Sequence, residues 1–205
     1  MKPKKKIKIG VIGEDFNNDA VAFCTLLSKR PYENTHFKAF NIKGVTANNI
    51  ESALAVARHV KAEIAQNELE YVICVKDLDG TLNDKQSLAI KDTWLSTFKK
   101  AVGKEAQPYL VIAEMEALLL ADVAVINEKY GTNFSKHRDP MLIQDPKKEL
   151  MTETAKKSKQ PYKENHCNDI MKDIDFDTIY KNHKGDRSFK TFIDELDIIL
   201  KHKKN

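Results

Sequence analysis

No apolar stretch in this 205-residue chain is long enough to cross a bilayer. The first residues, Met1-Lys-Pro-Lys-Lys-Lys, also lack the apolar stretch and small-residue cleavage site of a secretion signal. Both absences make the cytoplasm the expected location. Cysteine is sparse: Cys24, Cys74 and Cys167 stand apart without paired spacing, so neither a disulfide framework nor a zinc site is indicated. Cys24 and Cys74 lie in apolar contexts and are expected in the core. The histidines, His36, His59, His137, His166, His183 and His202, are dispersed and form no recognisable ligand pair. There is no internal repeat, and no Gly-x-x-x-x-Gly-Lys-Ser/Thr phosphate loop, so any ATP-driven step would belong to another protein.

What the chain does have is the composition of a folded domain, with 41% apolar and 31% charged residues. Its length suits one well-cored domain, or a core domain with a helical appendage. The net charge of +4 is mild, and the lysines at 2, 4, 5 and 6 account for it alone. They read as a solvated terminus or as a nucleic-acid arm, and charge by itself establishes no nucleic-acid partner.

Hydrophobic periodicity divides the first part into alternating strands and helices. Strands are expected over residues 7–12, 36–42, 71–75 and 109–113, and helices over 17–29, 50–66 and 87–102. Asn17 or Asn18 is the expected cap of the first helix. This alternation calls for an α/β fold, with a mostly parallel central sheet of about four strands flanked by helices. From Gly131 to Pro161 the chain turns polar and is interrupted by prolines. Short helices are expected beyond it, over residues 162–171, 176–182 and 188–201. The expected organisation is therefore an α/β domain over 1–130 and a helical extension over 131–205 packed on it. Lys147, Lys148, Glu149, Lys156, Lys157 and Lys159 read as a solvated face.

Parallel sheets place working residues at the carboxyl ends of their strands. Glu14, Asp77 with Asp79, and Glu114 with Glu116 all fall at such ends, after the first, third and fourth strands. Acids also cap helix starts, where they favour the positive end of the dipole. Asp77 and Asp79 are separated by one residue in extended backbone, so both can point the same way and offer hard oxygen ligands to magnesium. Lys76, beside them, is a candidate contact to phosphate.

Taken alone, Asp77-Leu-Asp-Gly-Thr-Leu82 resembles the first motif of the haloacid-dehalogenase-type phosphatases. That resemblance implies Asp77 as nucleophile, Asp79 as acid and base, and Thr81 as phosphoryl-binding. The same turn, read with Ile9-Gly-Val-Ile-Gly-Glu14 upstream, resembles the Toprim domain of topoisomerases, primases and overcoming-lysogenization-defect nucleases. Within that group the chain is similar to small stand-alone bacterial Toprim-like proteins. The similarity extends through Ala113-Glu-Met-Glu-Ala-Leu-Leu-Leu-Ala-Asp122, Asp145-Pro-Lys-Lys-Glu-Leu150, Tyr162-Lys-Glu and Ser188-Phe-x-x-Phe192. In one place it departs: Toprim domains commonly carry glycine after the strand-end glutamate, where this chain has Asp15, and Gly13 precedes instead.

The Toprim resemblance implies a metal-dependent nuclease acting on DNA or RNA. Asp77, Asp79 and Glu116 would hold Mg2+ or Mn2+, Glu14 would act as general acid or base, and Lys76 would meet nucleic acid. It also implies a role in bacterial anti-phage defence beside a partner ATPase, and leaves a homo-oligomer open. The phosphatase and a non-catalytic adaptor or nucleic-acid-binding subunit remain as alternatives.

Overall fold

The computed structural model describes residues 6–136 and 139–202. The basic start at Lys2, Lys4 and Lys5 lies outside the described residues. The chain divides into two compact units: one runs to Lys76 and takes in Asp84–Leu110, and the other holds Asp77–Asn83 and continues from Val111.

The first unit is built on β1 (Ile7–Ile12), α1 (Ala22–Ser28), β2 (Thr35–Ala39), α2 (Ile50–Asn67), β3 (Tyr71–Asp77), α3 (Lys85–Val102) and β4 (Ala106–Val111). The strands form one sheet in the order β2-β1-β3-β4. β1 pairs in parallel with both neighbours, Ile9 opposite Phe37 on one side and opposite Tyr71 on the other. Such parallel pairing requires crossover helices, which the strand and helix alternation supplies. β4 begins earlier than its apolar run suggests, with Pro108 inside it. An edge strand tolerates proline because one side of its ladder is unpaired.

β1 is followed by a π-helical turn, Phe16–Val21, rather than directly by an α-helix. Asp15, not Asn17 or Asn18, caps it: its side chain accepts the Asn18 N–H at 2.7 Å, and Asp19 Oδ2 accepts the Asp15 N–H at 2.6 Å. Those reciprocal bonds satisfy donors that a helix start would otherwise leave orphaned. Gly13 is needed here for space, since a Cβ on it would lie 2.5 Å from Asp19 Cβ. The core of this unit includes Ile9, Val11, Phe23, Leu26, Val56, Val60, Ile73 and Phe98, all fully buried. Cys74 is buried as expected, and its thiol is pushed up to about 12 by burial; Cys24 is only partly so. α2 and α3 pack together, and Trp94 Nε1 donates to Ser52 Oγ at 2.8 Å across that contact.

The second unit contains α4 (Met115–Ala121), α5 (Val123–Tyr130), α6 (Pro146–Ala155), α7 (Cys167–Asp173), α8 (Phe176–Asn182) and α9 (Phe189–His202). α4 is its hub, buried along its whole length and packed by α5, α6, α7 and α8. An all-round apolar helix of this kind has neighbours on every side. α6 sits in the stretch that reads as polar and irregular. Asp145 caps it by accepting the Lys148 N–H at 2.8 Å, and Pro146 takes the first helical position, where its missing N–H costs nothing. Among the described residues, no helix is long and apolar enough to cross a membrane.

Candidate functional site

Two of the residues in the second unit with a left-handed backbone stand at the acidic turn and just before α4. Asp79 has φ 59° and Ala113 has φ 65°, both in the left-handed region that disfavours side-chain-bearing residues. They are joined directly. Asp79 N–H donates to Ala113 O at 2.8 Å and Ala113 N–H to Gly80 O at 2.8 Å, while Leu78 N–H reaches Val111 O at 2.9 Å. Leu78 and Ala113 are fully buried, which anchors the two loops, and Asp79 is exposed. The acidic turn after β3 and the segment leading into α4 are thereby fixed to each other by main-chain bonds. Backbone strain held in place this way is a mark of functional sites.

Glu114 and Glu116 follow immediately. Glu116 is 3% exposed, and its Oε1 accepts a hydrogen bond from Tyr162 OH at 2.8 Å. Burial raises the Glu116 carboxyl, with the charge of Lys147 and the Tyr162 bond working the other way. The same burial and the Glu116 charge push the Tyr162 hydroxyl far up, so it remains a donor. Glu114 is more open. Its Oε2 accepts the Lys147 backbone N–H at 3.2 Å, and its Oε1 lies 3.8 Å from Lys147 Nζ. Burial raises its carboxyl; Lys147 opposes this, and the charges of Asp145 and Asp79 add to it. Asp79 and Glu114 therefore act on each other through space. A cavity of about 740 Å³ opens beside α6, with Phe134, Ile143, Asp145 and Lys148 in its lining.

Glu14 and Lys76 belong to the first unit. Lys76 is fully buried, its ammonium 2.7 Å from Glu14 Oε1 and also bonded to Val45 O. It lies 4.8 Å over the Trp94 ring. Lys91, itself buried, contacts the same Glu14 oxygen at 3.0 Å. Lys76, expected to reach phosphate, is thus turned inward. Burial lowers its pKa, and the bond and charge of Glu14 offset part of that. Glu14, expected as the acid–base group, carries two ammonium contacts on one oxygen.

The model of the family described as "Domain of unknown function (DUF4276)" matches residues 23–197. The chain belongs to that family. The DUF4276 match takes in the acidic turn, Glu114, Glu116, Lys147 and Tyr162, and it begins C-terminal to Glu14. No curated protein and no solved structure matches this DUF4276 chain.

Magnesium and manganese take hard oxygen ligands, and magnesium commonly uses one or two protein carboxylates completed by waters and substrate phosphate. Asp77, Asp79 and Glu114 are oxygen donors of that class within one unit of the DUF4276 chain. Among the described residues, no group of three or more His, Cys, Asp or Glu side chains that could hold a metal ion is found. Lys147, unlike the aspartates, reads in the sequence as part of a solvated face. The signal that could have found Lys147 is Asp145-Pro146, a cap followed by an N1 proline, which announces α6.

Proposed function

We propose that this protein is a metal-dependent nuclease that hydrolyses phosphodiester bonds in DNA or RNA at the acidic turn. The observation that carries the reading is the bonded pair of left-handed residues, Asp79 and Ala113, which holds the turn against the segment bearing Glu114. Strain and the mutual repulsion of neighbouring carboxylates both act against the folded state, and a bound cation is the ligand that offsets the second of them.

Asp77 and Asp79 would hold the ion, with Glu114 and Glu116 completing the carboxylate set. When bound, the ion supplies charge neutralisation at the phosphoryl oxygens and an acidified water as nucleophile. The chain's own groups do the rest. Tyr162 donates to Glu116 and fixes its orientation. The backbone bond from Lys147 does the same for Glu114. The cavity beside α6 has the size range of a small-ligand site, and the partly exposed Phe134 ring offers a face on which an unstacked base can lie. The α/β architecture agrees with this role.

The reading predicts which ester is cleaved. Plasmid, single-stranded DNA, RNA and a small phosphomonoester are incubated with the protein in Mg2+ or Mn2+, and products are followed by gel and phosphate release. Chain cleavage with no monoester hydrolysis is the expected pattern. Monoester turnover with an acid-stable phosphoryl group trapped on Asp77 would assign the phosphatase chemistry instead.

A further inference from the structure

The cavity of about 740 Å³ beside α6 lies wholly within the second unit. Part of its lining is apolar and buried: Leu120 near the end of α4, Val123 at the start of α5, and Ile143. Another part is the loop after α5, which the Asn127 side chain holds at three points. Asn127 Oδ1 accepts the Phe134 N–H and the Thr132 hydroxyl at 2.8 Å each, and Nδ2 donates to Phe134 O at 3.0 Å. Both main-chain polar groups of Phe134 are thereby tied to one side chain, so its half-buried ring has a fixed place in the lining. The rest comes from α6 and the residues beside it, where the acids are engaged. Asp145 caps the helix, Glu153 is 2.5 Å from Lys156, and Glu149 is also partnered. Lys148 and Lys157, by contrast, are exposed and make no ion pair among the described residues.

We propose that this cavity holds one unpaired nucleotide of a single strand, with its base against Phe134 and its phosphate at Lys148 and Lys157. The inference rests on the nucleic-acid reading above and adds to it a strand preference that needs no metal ion. The volume lies within the range of about 300–1,000 Å³ usual for sites that enclose a small molecule. An apolar lining with one fixed aromatic ring takes a flat, weakly polar group, and two ammonium groups without carboxylate partners take an anion. A nucleotide carries both on one molecule. Stacking on a phenyl ring is open to every base, because every base has a π-face, and phosphate held by lysines is released as salt rises. A base inside a duplex cannot enter such a cavity without first being unstacked and unpaired. Single strands should therefore bind before duplexes do.

The test is binding in chelator, so that neither metal nor cleavage enters. A short labelled oligonucleotide, single-stranded and as its duplex, is titrated by fluorescence anisotropy, and adenosine monophosphate and inorganic phosphate are titrated by calorimetry. The proteins are the wild type, Phe134→Leu, Phe134→Tyr, the double variant Lys148→Met/Lys157→Met, and Lys172→Met, whose lysine pairs with Asp169 outside the cavity. The wild type should bind the single strand at least about tenfold more tightly than the duplex. Phe134→Leu, which keeps apolar bulk and loses the ring, should weaken single-strand and nucleotide binding about tenfold, while Phe134→Tyr and Lys172→Met stay within about twofold of the wild type. The double lysine variant should bind more weakly at low salt and respond less to added salt. Lys148 and Lys157 are exposed, so this arm holds even if melting curves show Phe134→Leu to be misfolded. Equal affinity for strand and duplex, full binding by a folded Phe134→Leu or by the lysine variant, phosphate bound as tightly as the nucleotide, or no binding of any probe overturns the proposal. Single-strand binding that depends on the ring and the lysines, with no cleavage in Mn2+, sinks the nuclease and leaves the cavity standing. Metal-dependent cleavage by a protein whose single-strand affinity these substitutions leave unchanged sinks the cavity alone.

Discussion

Glu14 decides more about stability than its place in the turn after β1 suggests. Both of its lysine partners are buried, Lys76 at 0% and Lys91 at 3% exposure. Removing the carboxylate leaves two ammonium groups without their shared counter-charge, and stranded buried charge costs about 3 kcal/mol or more. Glu14→Gln should therefore lose about 3 kcal/mol in urea denaturation. Lys76→Met should lose less, because Lys91 still pairs Glu14 and one desolvated cation is gone; the reverse order would contradict this assignment. His183 gives the clearest pH effect. It is fully buried, its Nδ1 accepts the Phe189 N–H at 2.9 Å, and burial lowers its pKa from 6.5 to about 4, with the Asp139 charge opposing. The unfolded chain thus binds a proton below about 6.5 that the folded chain refuses until about 4. Stability present above the unfolded value is lost as pH falls through that window, by up to about 3 kcal/mol. Melting temperature measured from pH 7 to pH 4.5 should fall, and His183→Gln should flatten that fall.

At the scale of elements, β1 and β3 are legible because short stretches rich in Ile and Val and bounded by turns leave little choice. β1 and α8 fall where the pattern puts them, at Ile7–Ile12 and Phe176–Asn182. β2 stops at Ala39, short of residue 42, and β4 stops at Val111 because Ala113 leaves the extended region. α5 and α6 were not legible from periodicity: α6 buries little more than Pro146, Leu150 and Thr154, so its apolar stripe is too thin to read. The aspartates of the site could be found in the sequence, since their chemistry is written in their spacing. Their supports could not, because Lys147 and Tyr162 meet Glu114 and Glu116 only through tertiary packing. The junction between the acidic turn and α4 makes its own prediction. Ala113→Gly should cost less than about 1 kcal/mol despite complete burial, because relief of the left-handed strain offsets the lost methyl contacts. Ala113→Val, which adds β-branching at the same φ, should cost about 2 kcal/mol or more. Urea midpoints of the two variants compare them directly.

On the scale of the whole molecule, Asp77–Asn83 falls in the same compact unit as the chain from Val111 onward, to which Leu78 and Asp79 bond at Val111 and Ala113. The carboxylates of the acidic turn and those of α4 thus belong to one compact unit, which is why the candidate ion site is assigned there. Glu14 belongs to the other, where its described contacts are to lysines. The most direct measurement is the rate of cleavage of an end-labelled oligonucleotide in Mn2+ and in chelator, by the wild type and by Asp77→Asn/Asp79→Asn. Cleavage that requires the ion and falls at least a hundredfold in the double variant is the predicted result. No cleavage by the wild type, or cleavage that the double variant retains, would contradict the acidic turn as the seat of a metal-dependent nuclease.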